Sequence, residues 1–234
     1  MAMSTKELDF LRIETMPVTL REIALDRMRR AIISGVFEPG ERLVERSLCD
    51  QMGVSRSVIR EVIRHLEAEG LVEMLQRQGP IVASLDGDDA RQIYEIRGLL
   101  EAKAVADCAR GADPAVKVAL TQAFAALQAA SKEADPMAII DATTLFYKII
   151  FHAGHNTMAW EVVTRLNSRI SRLRVMTLST SGRMTSGPAQ LKRIFDAILA
   201  GDPEAAAEAC HAHVAAAAEI ADRLLSKEMA ALDQ

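Results

Sequence analysis

The feature that most constrains this chain is the stretch 55–66, which has two chemically different helical faces. Its apolar residues recur at helical spacing and form one stripe: Val58, Ile59, Val62, Ile63 and Leu66. Its arginines are spaced four residues apart and line another face: Arg56, Arg60 and Arg64. Ser55 can cap such a helix, which would bury one side and present guanidinium groups to phosphates or guanine edges. The alternative is a solvated basic face with ion pairs to Glu61 or Glu67.

The segment before this helix predicts a first helix and a turn. Thr19 and Glu22 have the spacing of a capping box, and a helical apolar stripe follows until Gly35. Pro39-Gly40 indicates a turn, after which a short strand can begin at Leu43.

A helix-turn-helix follows, with a β-hairpin behind it. Residues 45–52 predict a short helix ended by a glycine, so a tight turn joins it to the two-faced helix. That helix ends at Gly70, and residues 71–75 and 80–83 then predict two strands around a tip that carries Arg77. A hairpin in this place is a wing, and the order of elements predicts a winged helix with a recognition helix that enters the major groove.

Several short motifs follow one another through this region. They are Ile32-Ile33-Ser34-Gly35, Pro39-Gly40-Glu41-Arg42-Leu43, Glu45-Arg46-Ser47-Leu48, Gly53-Val54-Ser55-Arg56-Ser57, Arg60-Glu61 and Leu66-Glu67-Ala68-Glu69-Gly70-Leu71-Val72. Over residues 19–84 they resemble the DNA-binding domain of GntR-type bacterial transcription regulators. The chain departs from the family at Val58, where many members have proline, and at Val44, where a capping serine is common.

The resemblance implies which residues contact DNA. In the family these are the arginine that opens the second helix, the start of the recognition helix and the wing tip. The matching positions, with the wing arginine added, are Arg46, Ser55, Arg56, Ser57, Arg60, Arg77 and Gly79. We expect Arg56 to contact a guanine, because it lies at the N-terminal end of the recognition helix. We expect Arg46 and Arg60, with the two serine hydroxyls, to bind phosphates, whereas Arg64 meets backbone or water.

The overall charge does not by itself indicate a nucleic-acid-binding protein. The net charge is −4, and residues 1–84 contain 12 Lys and Arg against 13 Asp and Glu, so a DNA-binding face must come from local arrangement. Cys49, Cys108 and Cys210 are widely spaced, which favours reduced thiols over a disulfide framework. The charged N-terminus is not typical of a signal peptide, and no apolar run has the length of a membrane span. We therefore expect a cytoplasmic protein with no membrane partner.

The remaining chain predicts a second, all-helical domain, which makes the fold mainly α. We interpret residues 1–17 as a flexible arm, 18–84 as the winged helix-turn-helix domain, 85–89 as a linker and 90–230 as a helical effector-binding and dimerisation domain. Three Asp-Pro pairs each place a capping carboxylate before a proline at a helix start: Asp113-Pro114, Asp135-Pro136 and Asp202-Pro203. The predicted helices are 88–110, 114–133, 136–154, 157–178, 188–200 and 203–229.

Looser motifs occur in order along this second domain. They are Ile93-Tyr94-Glu95-Ile96-Arg97 with Leu100-Glu101, Phe146 through Gly154-His155-Asn156, Arg172-Leu173-Arg174, Ala200-Gly201-Asp202 and His213. They resemble the FCD effector domain of the FadR-like branch of the same family. The resemblance implies a domain that binds small organic acids or sugar acids.

Many members of that branch hold a divalent metal through one aspartate and three histidines. The matching positions here are Thr143, Tyr147, Leu191 and His213, so only one ligand remains. A metal needs about three protein ligands to bind well, and we therefore predict that the metal site is lost and that the chain has no cofactor. The remaining histidines are interpreted as surface or capping residues: His152, His155 and His211.

A polar ligand pocket is predicted in place of the metal. Thr143 and Tyr147 lie one helical turn apart, and His213 can donate from another helix. Arg97 is the natural partner for a carboxylate in an apolar cavity. The alternative for Arg97 is a buried ion pair with Glu101, four residues on, and the sequence leaves both open.

These patterns together predict a homodimeric transcription regulator, acting as a repressor, that binds a palindromic double-stranded DNA operator. A small carboxylate-type metabolite in the second domain would modulate its operator affinity. One alternative is a constitutive dimeric DNA-binding protein without a ligand. Another is a metal-dependent helical enzyme, against which the sequence shows no nucleophile–base pair, so no catalytic residue is expected.

Overall fold

The computed structural model describes residues 19–232, and the predicted N-terminal arm, 1–17, lies outside the described residues. The first part of the described chain consists of α1 (Leu20–Ile33), α2 (Glu45–Met52), α3 (Arg56–Ala68), β1 (Val72–Leu75) and β2 (Gly79–Val82). The second part consists of α4 (Gly87–Gly111), α5 (Pro114–Glu133), α6 (Pro136–Ala153), α7 (Thr157–Arg169), α8 (Ser171–Leu178), α9 (Arg183–Ala200) and α10 (Pro203–Leu232). The predicted fold class, a winged helix-turn-helix followed by a helical bundle, is confirmed.

The winged helix forms around the apolar stripe of α3. The stripe residues Ile59, Val62 and Leu66 have no exposed surface, and α1 and α2 pack against this helix. Gly53 ends α2 with a left-handed φ of 66°, a conformation that glycine adopts without steric cost. This turn sets the angle between α2 and α3 and leaves the start of α3 exposed.

The local signals at the helix and strand ends are mostly confirmed. Thr19 and Glu22 form both hydrogen bonds of the capping box. The two strands pair antiparallel, with Leu75 opposite Gly79 at the tip. The short strand expected at Leu43 is instead an isolated bridge between Arg42 and Ile81, which attaches the start of α2 to the wing.

The second domain is a bundle around α4 and α10. These two helices pack along each other, α6 packs on α4, α9 packs on both, and α5 covers α6 and α9. The core contains fully buried large side chains from several helices, among them Phe146, Phe151, Leu120, Leu127 and Ile194. All three Asp-Pro signals are confirmed, because Asp113, Asp135 and Asp202 each accept a backbone N–H bond within the first turn.

Two predicted helices and the predicted linker are corrected by the structure. The single helix expected at 157–178 is two helices that meet at Ile170, a residue with no exposed surface, so the chain bends there to bury it. The helix expected from 188 begins at Arg183, because Pro188 is accommodated inside α9. In the segment 85–89, α4 begins at Gly87 with Asp86 as its cap, so helix replaces most of the predicted linker.

The two domains contact each other directly across this short connection. Arg169, at the end of α7, is held within the second domain by an ion pair with Asp89 near the start of α4, with 2.5 Å between Nη2 and Oδ2. The same arginine packs against Gly70, at the end of the recognition helix. Arg30 of α1 lies 3.8 Å from Asp141 of α6, and α1 also contacts α8.

Candidate nucleic-acid interface and effector cavity

A groove on the winged helix is lined by three arginines. It lies between the starts of α2 and α3 and the second strand of the wing, with a volume of about 360 Å³. The structure brings the predicted residues Arg46 and Arg56 together here, and Arg42 joins them from the bridge to the wing. All three side chains are exposed. Arg42 was not among the predicted contacts, although it lies within the Pro-Gly-Glu-Arg-Leu motif.

The start of α3 is organised by its two serines. The Ser55 hydroxyl accepts a hydrogen bond from the backbone N–H of Val58 at 3.4 Å, which confirms the predicted cap. The Ser57 hydroxyl lies 2.8 Å from that of Ser55. Both hydroxyls therefore lie at the helix N-terminus, where the backbone dipole favours a phosphate.

Arg60 has an ion-pair partner that the sequence spacing did not suggest. Its Nε lies 3.0 Å from both carboxylate oxygens of Glu45, on the first turn of α2. The hydrogen bonds to Glu45, and then its negative charge, raise the pKa of Arg60. The partners proposed from spacing, Glu61 and Glu67, are not used; Glu61 lies instead 4.0 Å from Arg21.

The other arginines of the winged helix differ from Arg60 in their ion-pair partners and in their positions. Arg56 and Arg64 form no ion pair with any residue among 19–232. Arg77 lies at the tip of the wing with a left-handed φ of 70°, and Gly79 begins the second strand just after it. The DNA contacts assigned to these residues stay predictions, and the structure places them on exposed ends of α2, α3 and the wing.

A cavity of about 60 Å³ lies inside the helical domain, between α4, α6, α8, α9 and α10. Of the four predicted ligand residues, Arg97, Thr143 and His213 line this cavity. Tyr147 does not: its hydroxyl lies 3.7 Å from the sulfur of Cys210 in the core. The Thr143 hydroxyl donates to the carbonyl of Ile139 at 2.7 Å, so it can offer a ligand only its lone pairs.

Of the two alternatives considered for Arg97, the ion pair with Glu101 is present in the structure, and ligand binding stays a prediction. Its Nε donates to Glu101 at 2.8 Å, and both side chains are buried. The guanidinium also lines the cavity and lies 5.2 Å from the ring centroid of Tyr94. Burial lowers the pKa of Arg97, but the attraction of Glu101 and the nearby phenols outweighs it, so the net shift is upward.

Two further arginines line the cavity, and neither was predicted as a ligand residue. Arg174 comes from α8 and Arg183 from the start of α9. Arg183 donates to the side-chain oxygen of Gln190 at 2.7 Å, and that oxygen lies 3.3 Å from Nδ1 of His213. Arg174 belongs to the Arg-Leu-Arg motif noted in the sequence. Arg183 lies in a segment that contains several serines and glycines and a proline, a composition that is typical of a loop.

The cavity is electropositive and keeps its histidine neutral. Burial, followed by the charges of Arg183, Arg97 and Arg174, lowers the pKa of His213 to about 3. Burial and the charge of Arg97 lower the pKa of Arg174 to about 10. All three guanidinium groups are therefore charged at neutral pH, while the imidazole is not.

Among residues 19–232, no three His, Cys, Asp or Glu side chains come together as a metal site. Thr143, Leu191 and His213, which occupy positions where related domains have metal ligands, line the same cavity. That the chain has no metal cofactor stays a prediction.

Comparison with known families covers both domains. Residues 20–82 match the model described as "Bacterial regulatory proteins, gntR family", and residues 92–216 match that of the FCD domain. The uncharacterised HTH-type transcriptional regulator YdhC of Bacillus subtilis (strain 168) is 30% identical over 189 residues, which cover 80% of this chain and 84% of that protein. The chain belongs to the GntR family. Its predicted family and FCD domain are confirmed.

Other GntR-family proteins are similar over most of the chain. The Glc operon transcriptional activator of Escherichia coli (strain K12) is 27% identical, over 82% of this chain and 85% of that protein. Among solved structures, E. coli McbR/YncC superposes with a TM-score of 0.72 at 21% identity, covering 91% of this chain and all of that one. A regulator from Rhodococcus sp. RHA1 gives 0.69 at 24% identity, over 86% and 96% of the two chains. These structures share the fold.

The GntR-family assignment makes the chain a DNA-binding transcription regulator, and its relatives are regulators rather than enzymes. The alternative of a metal-dependent helical enzyme is therefore not supported by the family. Within residues 19–232, no helix combines the length and apolar character needed to cross a bilayer.

Proposed function

We propose that this GntR-family regulator is a homodimeric repressor whose affinity for a palindromic operator is changed by a small anionic metabolite bound in the FCD domain. The observation that carries the proposal is the place of α8. This short helix contributes Arg174 and Thr177 to the cavity, and it also contacts α1 of the winged helix. A ligand that attracts Arg174 therefore acts on an element that already contacts the DNA-binding domain.

The contacts at the neighbouring domain junction support this coupling. Arg169, one residue before the bend at Ile170 that leads into α8, packs against Gly70 and pairs with Asp89. Arg29 of α1 donates to Glu69 through two nitrogens, at 2.9 and 2.6 Å, which ties α1 to the end of the recognition helix. A rotation of α8 would thus move α1 and α3 together. In a dimer this would change the separation of the two recognition helices and hence the match to the half-sites.

The DNA-binding mode follows from the arginine groove. Arg46 and Arg42 would hold phosphates on either side of the entering helix, and Arg56 would reach a guanine edge. A dimer bound across an operator beside a promoter would exclude polymerase, which is the physical basis of repression.

The proposal is tested with the full-length protein. Genomic fragments that the protein retains against bulk competitor DNA would give the operator, and fluorescence anisotropy would then measure operator affinity with and without individual organic acids. We expect at least one small acid to raise the thermal unfolding temperature and to change operator affinity by about fivefold or more, the range of a coupling energy above 1 kcal/mol.

The variants Arg174→Gln and Arg193→Gln form a matched pair for this experiment. Arg174 lines the cavity, whereas Arg193 is exposed on the same domain. We expect Arg174→Gln to abolish the response to the acid and Arg193→Gln to keep it. An operator affinity that no acid alters would favour a constitutive DNA-binding protein. A reporter gene placed behind the operator should rise in activity when the gene for this protein is deleted. A fall in its activity would contradict repression.

A further inference from the structure

The charges around the effector cavity do not balance. Three guanidinium groups line it, from Arg97, Arg174 and Arg183, and its lining contains no carboxylate. Among the described residues, Glu101 supplies the only carboxylate paired with one of these guanidinium groups, and it pairs with Arg97. Because His213 is neutral, the cavity retains two uncompensated positive charges at neutral pH. Arg183 is buried and Arg174 is partly buried, and cations withdrawn from water are costly unless something pairs with them.

The two remaining guanidinium groups have different environments. Arg183 uses its donors on the oxygen of Gln190 at 2.7 Å and on the backbone carbonyl of His213 at 3.5 Å, which are neutral acceptors. Arg174 forms no hydrogen bond or ion pair with any residue among 19–232. Its donors are thus available to a ligand without the loss of an existing contact.

An independent observation also indicates a ligand in this cavity. Tyr94 lines it, is 3% exposed, and its hydroxyl has no hydrogen-bond partner among the described residues. A buried hydroxyl without a partner destabilises the fold, so such a group is seldom left unpaired without a reason. In this place the hydroxyl can donate to an anionic oxygen beside Arg97.

We propose that the cavity binds a compact dianion, either a short dicarboxylate or a phosphomonoester, rather than a singly charged acid. Arg174 and Arg183 balance its two negative charges, and Tyr94 donates to one of its oxygens. This assignment rests on the proposed ligand response and specifies the class of the ligand. The cavity of about 60 Å³ corresponds to the space of roughly four to six water molecules, which restricts the ligand to a short chain.

The test compares molecules of nearly equal size that differ by one charge. Isothermal titration calorimetry on the full-length protein would use malonate and succinate, each beside its monoamide, and methyl phosphate beside dimethyl phosphate. We expect the dianion of at least one pair to bind about tenfold more tightly or better than its singly charged partner. The pair with the larger ratio distinguishes a dicarboxylate site from a phosphate site.

Variants assign this difference to named groups. Arg174→Gln should reduce the affinity for the dianion to that for the singly charged partner, whereas the exposed control Arg193→Gln should leave the ratio unchanged. Tyr94→Phe removes a hydroxyl that has no hydrogen-bond partner among residues 19–232. We expect it to leave the unfolding temperature of the free protein unchanged or higher, and to weaken dianion binding by about tenfold or more, the effect of one hydrogen bond to a charged group.

Two results would overturn the assignment. The first is equal affinity for the dianion and its singly charged partner in every pair, because the second negative charge would then contribute nothing to binding. That result would not contradict the proposed effect of a ligand on operator affinity. The second is binding of a neutral or singly charged acid to the cavity while no dianion binds. The operator titration decides separately whether the proposed ligand response itself fails, because that experiment does not depend on the charge of the acid.

Discussion

Individual arginines serve different purposes in this protein, and the partner of each guanidinium decides which. Arg60 is held by Glu45, whereas Arg56 forms no ion pair with any described residue. In the second domain Arg97 is paired and buried, whereas Arg174 is unpaired within the described chain. A guanidinium without a protein partner can contact a base, a phosphate or a metabolite without first breaking an ion pair.

Arg56→Ala tests the assignment of the base-reading residue. We expect operator affinity to fall by about 1–3 kcal/mol and one base position to lose its preference, because a bidentate contact to guanine is worth that much. Thermal stability should stay the same, since Arg56 is exposed and without an ion-pair partner among the described residues. Arg64→Ala, two turns along the same helix, is the control and should change affinity much less. Equal losses for both variants in a gel-shift titration would contradict the assignment.

Glu45→Gln tests whether the pair with Arg60 restrains DNA binding. The change removes a negative charge from the DNA-facing groove and releases Arg60, whose Nε lies 3.0 Å from both oxygens of Glu45. We expect affinity for all DNA sequences to rise, with a logarithmic salt dependence steeper by about one unit. The double variant Glu45→Gln/Arg60→Gln should lose this gain. An unchanged salt dependence in Glu45→Gln would show that Arg60 does not reach a phosphate.

His213 gives the stability of the protein a defined pH dependence. Its pKa in the folded protein is about 3, below the value of about 6.5 expected when unfolded. The unfolded chain therefore binds a proton that the folded chain does not, and stability is lost as pH falls below about 6.5, by at most about 1.4 kcal/mol per pH unit. Urea unfolding between pH 7 and 5 should show a smaller loss for His213→Gln than for the unaltered protein. His152→Gln, at an exposed position, should not change the slope.

At the scale of elements, the junction between the recognition helix and the bundle is where the two domains contact each other. The end of α3 is fixed to α1 through Glu69 and Arg29, and the next residue, Gly70, packs on Arg169 at the end of α7. The bend at Ile170 then directs α8 toward the cavity. The end of α3, Arg169 of α7 and the helix α8 thus connect the recognition helix to the cavity.

A pair of glycine variants tests this junction. Gly70 and Gly53 have similar left-handed φ values, +76° and +66°, so alanine at either position costs about 1–2 kcal/mol of backbone strain. A Cβ at Gly70 would also lie 2.7 Å from Cγ of Arg169, whereas at Gly53 nothing lies within 4 Å. We expect Gly70→Ala to lose more unfolding free energy than Gly53→Ala and to alter the ligand response, because Arg169 must shift. Equal losses in urea unfolding, with an unchanged ligand response, would argue against the junction.

In the proposed function, the whole molecule is one half of a symmetric dimer that binds DNA. A single winged helix presents one recognition helix, and two copies related by a two-fold axis would present two to successive major grooves. The FCD domain then has two tasks in the proposed function, to hold the copies together and to bind the ligand that adjusts their spacing.

Operator spacing tests this arrangement. We expect light scattering to give the mass of a dimer and footprinting to show two half-sites whose centres lie about one helical turn apart, or a multiple of it. Inserting five base pairs between the half-sites rotates them by about half a turn and should reduce affinity by at least tenfold, whereas inserting ten or eleven should restore part of it. A monomer with a single-site footprint would contradict the proposed dimer.

The sequence by itself determined what is decided over a few neighbouring residues. The signals that the sequence carries act between residues within a few helical turns of each other. They are the helical periodicity, the capping box at Thr19, the Asp-Pro helix starts and the apolar stripe of α3. The family motifs add the order of elements in the winged helix. These signals predicted the fold class, most helix bounds and the face on which the arginines of α3 lie.

Only the tertiary structure decided which side chains meet. Arg60 pairs with Glu45 rather than with a neighbour on its own helix, and Tyr147 turns to Cys210 rather than into the cavity. The cavity itself combines side chains from five helices, so Arg174 and Arg183 could not be placed beside Arg97 by spacing along the chain. The physical reason is that the charge balance of a site depends on distances across the fold, and packing of the core sets those distances.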